Sequence, residues 1–148
     1  MTDLERRLLN LVQKEFPLDT RPFGILAKQA GISEAECIES LRRLSDQGIL
    51  RGIKPAVAWK ELGYSSILIG LEVDEQCIDA VALEINKDPG VTLNYARKGL
   101  MNLWCTFTYE SSFRKDEFLK KLCSLPGVEK CRVFPAEKTY KIGLVLHV

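Results

Sequence analysis

The sequence carries a single histidine, His147, close to its end, and none of its cysteines stand in a Cys-x-x-Cys pair. It therefore predicts no metal site built from clustered imidazoles and thiolates. The five cysteines, Cys37, Cys77, Cys105, Cys123 and Cys131, are odd in number and have no histidine near them. They read as apolar thiols of a reducing compartment, not as a disulfide frame. Glycine motifs that cradle phosphate are missing as well. No apolar stretch approaches the ~20 residues that span a bilayer. The charged start, Met1 to Arg7, is not followed by the apolar run of a signal peptide. These absences together predict a soluble, cytoplasmic protein. A charge excess is also lacking: 21 Lys and Arg oppose 20 Asp and Glu, a net of +1. Without a global field, any binding to a polyanion must be local.

What is present is a chain of 148 residues, 46% hydrophobic, enough for two small cores. The pattern predicts three helices first. Asp3 can cap the first, whose stripe is Leu4, Leu8, Leu9, Leu11 and Val12, with Phe16-Pro17 ending it. A second follows Pro22 through Ile25, Leu26 and Ala30 to Gly31. Ser33 with Glu36 forms a capping box for the third, with Cys37, Ile38, Leu41 and Leu44 facing inward until Gly48. This is the order of a winged helix-turn-helix, with Ile49 to Trp59 as the wing, interrupted at Pro55.

After Gly63 the period changes. Ser66 to Val73 reads as a strand, Gln76 to Lys87 as a helix through Ile78, Val81, Ala82 and Ile85, and Val91 onward as extended chain. The pattern then recurs: strand Leu103 to Thr108, amphipathic helix Phe113 to Ser124 through Phe118, Leu119 and Leu122, strand Val128 to Phe134. Each helix ends in the same punctuation, Pro89-Gly90-Val91 and Pro126-Gly127-Val128. Two βαβ units in tandem make a ferredoxin-like β-α-β-β-α-β module. The fold class expected is α+β, a winged helix-turn-helix over residues 1–59 followed by the ferredoxin-like domain over 60–148. The tail from Lys138 to Val148 can add a strand, and its apolar run Leu144, Val145, Leu146 suggests cover on both faces, best supplied by a partner subunit.

A helix that reads DNA needs Arg or Lys on its exposed face, because neutralised phosphates supply most of the affinity. The third helix is acidic instead. From Ser33 to Gly48 it holds Glu34, Glu36, Glu39 and Asp46 against Arg42 and Arg43, a net of −2. Acids near a helix start also favour the macrodipole, so a structural reason competes with a functional one. Either way the charge repels phosphate, and DNA is not the expected partner.

The most informative stretch lies between the central strands: Gly90-Val91-Thr92-Leu93-Asn94-Tyr95, then Arg97-Lys98, then Asn102-Leu103-Trp104-Cys105-Thr106. It resembles the signature of siroheme decarboxylases, which are similar to Lrp/AsnC-type regulators. That signature reads Gly-Val-Thr-His-Asn-Tyr, Arg, and Asn-Leu-Trp-Phe-Thr. The resemblance covers essentially the whole chain and matches most signature positions; Cys105 stands where the signature has Phe, and the departure that matters is Leu93 in place of the family's histidine. It implies removal of carbon dioxide from two acetate side chains of siroheme, giving didecarboxysiroheme on an alternative route to haem or haem d1. The iron tetrapyrrole would be substrate and product, with no further cofactor and no resident metal.

A flat apolar ring edged with carboxylates needs apolar and aromatic walls with a few cationic anchors. The resemblance assigns Tyr95 and Arg97 to catalysis. Asn94, Lys98, Asn102, Trp104, Thr106 and the C-terminal Lys138 and Lys141 become substrate contacts. Strand alternation puts Leu93, Tyr95 and Arg97 on one face and Thr92 and Asn94 on the other, so not all can touch one ligand. Plainer readings stand beside these. Tyr95 and Trp104 also suit a sheet core, Arg97 and Lys98 a solvated turn, and Lys138 and Lys141 an edge strand. Imidazole both ligates iron and titrates near neutrality, and leucine does neither. The chain therefore reads as one subunit of a two-subunit decarboxylase whose homologous partner supplies the histidine, which favours a heterodimer over a homodimer. A DNA-binding regulator of Lrp/AsnC type and a tetrapyrrole sensor without turnover are the alternatives.

Overall fold

Thr2, one residue before the expected Asp3, begins the first helix. Its hydroxyl accepts from the Glu5 amide at 3.2 Å while the Glu5 carboxylate accepts from the Thr2 amide at 2.7 Å, a reciprocal capping box that Asp3 cannot form from inside the helix. A computed structural model describes residues 1–141, 143 and 145–148. The chain divides into two compact units, Met1–Ala56 with Lys141–Val148, and Val57–Tyr140.

The first unit holds α1 (Asp3–Lys14), α2 (Pro22–Ala30) and α3 (Glu34–Asp46). Pro22 opens α2 where its missing amide costs nothing, and Gly31 closes it in the left-handed region at φ 71°. The expected Ser33–Glu36 capping box is formed. Leu8, Leu26, Cys37 and Leu44 are fully buried where the three helices meet. Ile38, expected inward, is 37% exposed, because the stripe set by Cys37, Leu41 and Leu44 leaves it on the flank.

The wing expected over Ile49 to Trp59 forms no strand. Pro55 has no amide to donate and Gly52 sits at φ 140°, so a ladder here would lack both a donor and a side chain to pack. The strand expected from Lys138 onward is likewise not formed among the described residues, and Leu144 of its apolar run lies outside them. Val145 and Leu146 are exposed. The tail is instead held by side-chain amides of α1. Gln13 exchanges two bonds with the Leu146 backbone at 2.9 and 3.0 Å, and the Asn10 amide donates to the Val148 carbonyl at 2.9 Å.

The second unit is the expected βαββαβ module: β1 (Ser65–Val73), α4 (Ile78–Ile85), β2 (Val91–Ala96), β3 (Leu103–Tyr109), α5 (Ser112–Cys123) and β4 (Val128–Pro135). Its antiparallel sheet has the order β2-β3-β1-β4. Asp74 accepts from the Gln76 amide and starts a 3-10 turn at Glu75–Cys77 that shortens the expected helix by its first turn. One sheet face is sealed by α4 and α5. Ile67, Ile69, Leu71 and Val73 pack there with Val81, Ile85, Leu103, Cys105, Phe107, Phe118 and Leu122. The rings of Phe107 and Phe118 stack at 3.9 Å between centroids. This face needs every alternate residue of β1 and β3, which leaves the other alternate set on the open face.

Candidate functional site

The strand registers place the open-face residues in rows across the sheet. Leu93, Thr106, Leu68 and Phe134 form one row, and Tyr95, Trp104, Gly70 and Arg132 the next. Arg97 follows at the end of β2, its amide bonded to the Asn102 carbonyl at 2.8 Å, level with Glu72 and Lys130. The face thus runs from apolar through aromatic to charged.

A groove of about 310 Å³ lies on this face, lined by Leu68, Leu93, Tyr95, Arg97, Trp104 and Thr106. Its walls are mostly carbon, and polarity enters through the Arg97 guanidinium, the Tyr95 phenol and the Thr106 hydroxyl. Tyr95 is 52% exposed, which sets aside the reading of it as a core tyrosine. The Arg97 guanidinium stands 6.0 Å over the Tyr95 ring, a cation–π contact that orients both side chains. The Trp104 indole donates to the Met101 carbonyl at 2.8 Å and packs on Phe134 with ring centroids 5.3 Å apart. Its plane is therefore fixed before any ligand arrives. Leu93 lies in the same lining, so the position that carries histidine in the resembling signature faces the groove with an apolar side chain.

Of the sequence-selected residues, Tyr95, Arg97, Trp104 and Thr106 come together here. Asn94 points to the other face, where its amide donates to the Ala82 carbonyl at 3.2 Å and to the Asn86 side chain at 2.9 Å. Its Oδ1 is buried without a partner among the described residues. Asn102 clasps the end of β1, accepting from the Val73 amide at 2.9 Å and donating to the Val73 carbonyl at 2.6 Å. Lys98 sits exposed in the turn outside the groove lining. Lys138 and Lys141 are also exposed and line no part of it, and Lys138 stands over the Tyr140 ring at 5.0 Å. Sequence reasoning missed Leu68, Gly70, Arg132 and Phe134 as open-face residues. Alternation along β1 and β4, taken with the Ile67, Ile69 and Leu71 stripe, was the available signal.

Burial pushes the Cys105 thiol up to about 11 and, with help from Cys123, the Cys131 thiol to about 12, so both are neutral thiols with no nucleophilic character near neutrality. Among the described residues no group of histidine, cysteine and carboxylate side chains is arranged to hold a metal ion, and no helix is long and apolar enough to cross a membrane.

Comparison with known proteins agrees with this geometry. Residues 5–51 match the siroheme decarboxylase NirDL-like HTH domain, and residues 61–141 match the AsnC-like ligand binding domain. The siroheme decarboxylase of Hydrogenobacter thermophilus is 33% identical over 95% of this chain, which spans 42% of that protein. The siroheme decarboxylase alpha subunit of Desulfovibrio desulfuricans is 32% identical over 96% of this chain and 82% of its own length. A crystal structure of the siroheme decarboxylase NirDL in co-complex with an iron-uroporphyrin III analogue superposes with a TM-score of 0.72 at 31% identity, covering 97% of this chain and 48% of that one. Escherichia coli AsnC, with a TM-score of 0.83 at 18% identity over 98% of this chain and 97% of its own, shares the fold. With identity sustained across both domains and over most of the alpha subunit's length, the chain belongs to the siroheme decarboxylase subunit family.

Proposed function

We propose that this chain is one subunit of an enzyme that decarboxylates two acetate arms of siroheme, and that it works with a homologous subunit which supplies the imidazole missing at Leu93. The observation that carries the reading is the groove itself: apolar walls from Leu68, Leu93 and Trp104 around the single cation of Arg97. A polycarboxylate macrocycle needs that combination, and a free amino acid does not.

The chemistry asks three things of the protein and one of the ring. The guanidinium of Arg97 pairs with a carboxylate and fixes the arm it belongs to. The Trp104 face and the leucines take the ring and expel water from around the reacting arm. Loss of carbon dioxide leaves an electron pair on the former methylene carbon, which the conjugated ring delocalises, so no further cofactor is required. A proton must then reach that carbon, and the exposed Tyr95 phenol beside Arg97 is the group of this chain placed to deliver or relay it.

The test is to combine the chain, alone and with its homologous partner, with siroheme under anaerobic conditions and follow product mass. Loss of two carbon dioxide units in the paired sample supports the reading, and unchanged siroheme there overturns it. Arg97→Ala should weaken ring binding by about 1.5–3 kcal/mol, the cost of a charge-assisted hydrogen bond.

A further inference from the structure

We infer that Arg132, on the opposite edge strand from Arg97, is a second carboxylate anchor of the same site, and that Gly70 between them leaves the space in which two tilted rings join as one aromatic floor. The inference rests on the tetrapyrrole reading above. Register places Arg132 directly across from Gly70, and Gly70 across from Trp104, all on the open face. A Cβ at Gly70 would stand 3.1 Å from Trp104 Cζ3 and 3.3 Å from Phe134 Cε2. The missing side chain is therefore the space in which those two rings meet across β1. Trp104 and Phe134 form one surface that extends from the groove toward β4.

The cations at its two ends are of the same kind. Among the described residues neither Arg97 nor Arg132 has a carboxylate partner, whereas Lys130, next along the same face of β4, is held by Glu72 at 2.8 Å. Three strand spacings separate β2 from β4, about 14 Å in all. That span suits carboxylate arms on opposite sides of a planar macrocycle and exceeds any small amino acid. Two guanidinium groups flanking an aromatic floor supply directional partners for two separate carboxylates. The ligand class is thus a planar ring with carboxylates on opposing edges, laid over Trp104 and Phe134.

Titration of the full chain, alone and in complex with its partner subunit, with the iron complex of an octacarboxylate porphyrin and with its methyl ester separates charge from stacking. Arg132→Gln should weaken the acid form roughly ten- to a hundred-fold and leave the ester unchanged, with Arg132→Lys recovering part of the loss. Gly70→Ala should weaken both forms alike, because it disturbs the floor. If Arg132→Gln leaves acid binding unchanged while Arg97→Ala weakens it, the second anchor is refuted and the decarboxylase reading stands. If the wild-type chain binds neither form in any pairing, both fall. A change in sedimentation without a change in ring affinity would assign Arg132 to a subunit contact and overturn its role as anchor.

Discussion

At the residue scale, the instructive outcomes are the two asparagines of the signature. Both stand in a motif that reads as ligand-binding, and both spend their amides on the protein. Asn94 ties β2 to the end of α4, and Asn102 closes the end of β1 through both polar groups of Val73. Sequence alternation already separated Asn94 from Tyr95 and Arg97. Nothing in the sequence gave the partners of Asn102, because they lie across strands in the register of β1 with β3. Removing the Asn102 amide would strand a backbone donor and an acceptor that are partly buried. Asn102→Ala is therefore expected to lower unfolding free energy by about 1–3 kcal/mol in a denaturant titration. Asn102→Asp, which keeps the acceptor, should lose less. A variant with unaltered stability but impaired ring binding would return Asn102 to the site.

At the element scale, the hydrophobic periods were legible because they are the cause of the structure: every strand and helix of the second unit falls within a turn of its expected bounds. The wing and the extra C-terminal strand were not, since an apolar run has no ladder unless a neighbour offers donors and acceptors in register. The repeated Pro-Gly-Val was read as punctuation, and the structure gives each glycine a separate steric reason. At Gly90 a Cβ would meet Phe107 Cε2 at 2.5 Å and the Thr108 carbonyl at 2.6 Å. At Gly127 the backbone is left-handed, at φ 84°, and a Cβ would lie 2.4 Å from Cys77 Cβ. Gly127 also accepts the Asp74 amide at 2.8 Å, joining the start of β4 to the end of β1. Gly127→Ala thus combines an unfavourable φ with overpacking and should cost about 2–4 kcal/mol, visible as a lowered Tm. Alanine at the exposed Gly99, where nothing lies within 4 Å, meets only the backbone cost and should lose less than half as much.

Helices α4 and α5 are tied on their outer side through Glu84, whose carboxylate accepts from Lys87 and from Lys121, the latter at 2.9 Å. These bonds hold its pKa down to about 2 from the ordinary 4.5. A depressed carboxylate stabilises the fold above its unfolded value and loses that contribution as pH falls from 4.5 toward 2. Glu84→Gln should therefore flatten the acid limb of the stability curve in that window and leave the curve above pH 6 nearly parallel to wild type. An unchanged acid limb would show the pairing to be solvent-screened to nothing.

At the scale of the whole molecule, a helix-turn-helix fold is present without an excess of positive charge that would draw it to DNA. The molecule is near neutral at +1 and α3 carries net −2 over Ser33 to Gly48. The arginines that remain on it face carboxylates: Arg42 meets Glu39 at 3.3 Å, and Arg43 meets the buried Glu5 at 3.3 Å and Glu39 at 4.0 Å. Exposed pairs of this kind hold their partners only weakly, so the decisive quantity is the local field and not the pairing. Binding that depends on counterion release needs several phosphate contacts, and this helix cannot supply them without first overcoming its glutamates. The wild-type chain should accordingly bind duplex DNA no tighter than about 100 µM near physiological salt, the weak end of non-specific association. Glu34→Lys with Glu39→Lys removes two negative charges, adds two positive ones and frees Arg21 and Arg42 from their partners, while Arg43 keeps Glu5. That variant should gain salt-sensitive DNA binding with a steep negative slope of log affinity against log salt. Tight, sequence-selective binding by the unaltered chain would instead identify it as a regulator that kept its original partner.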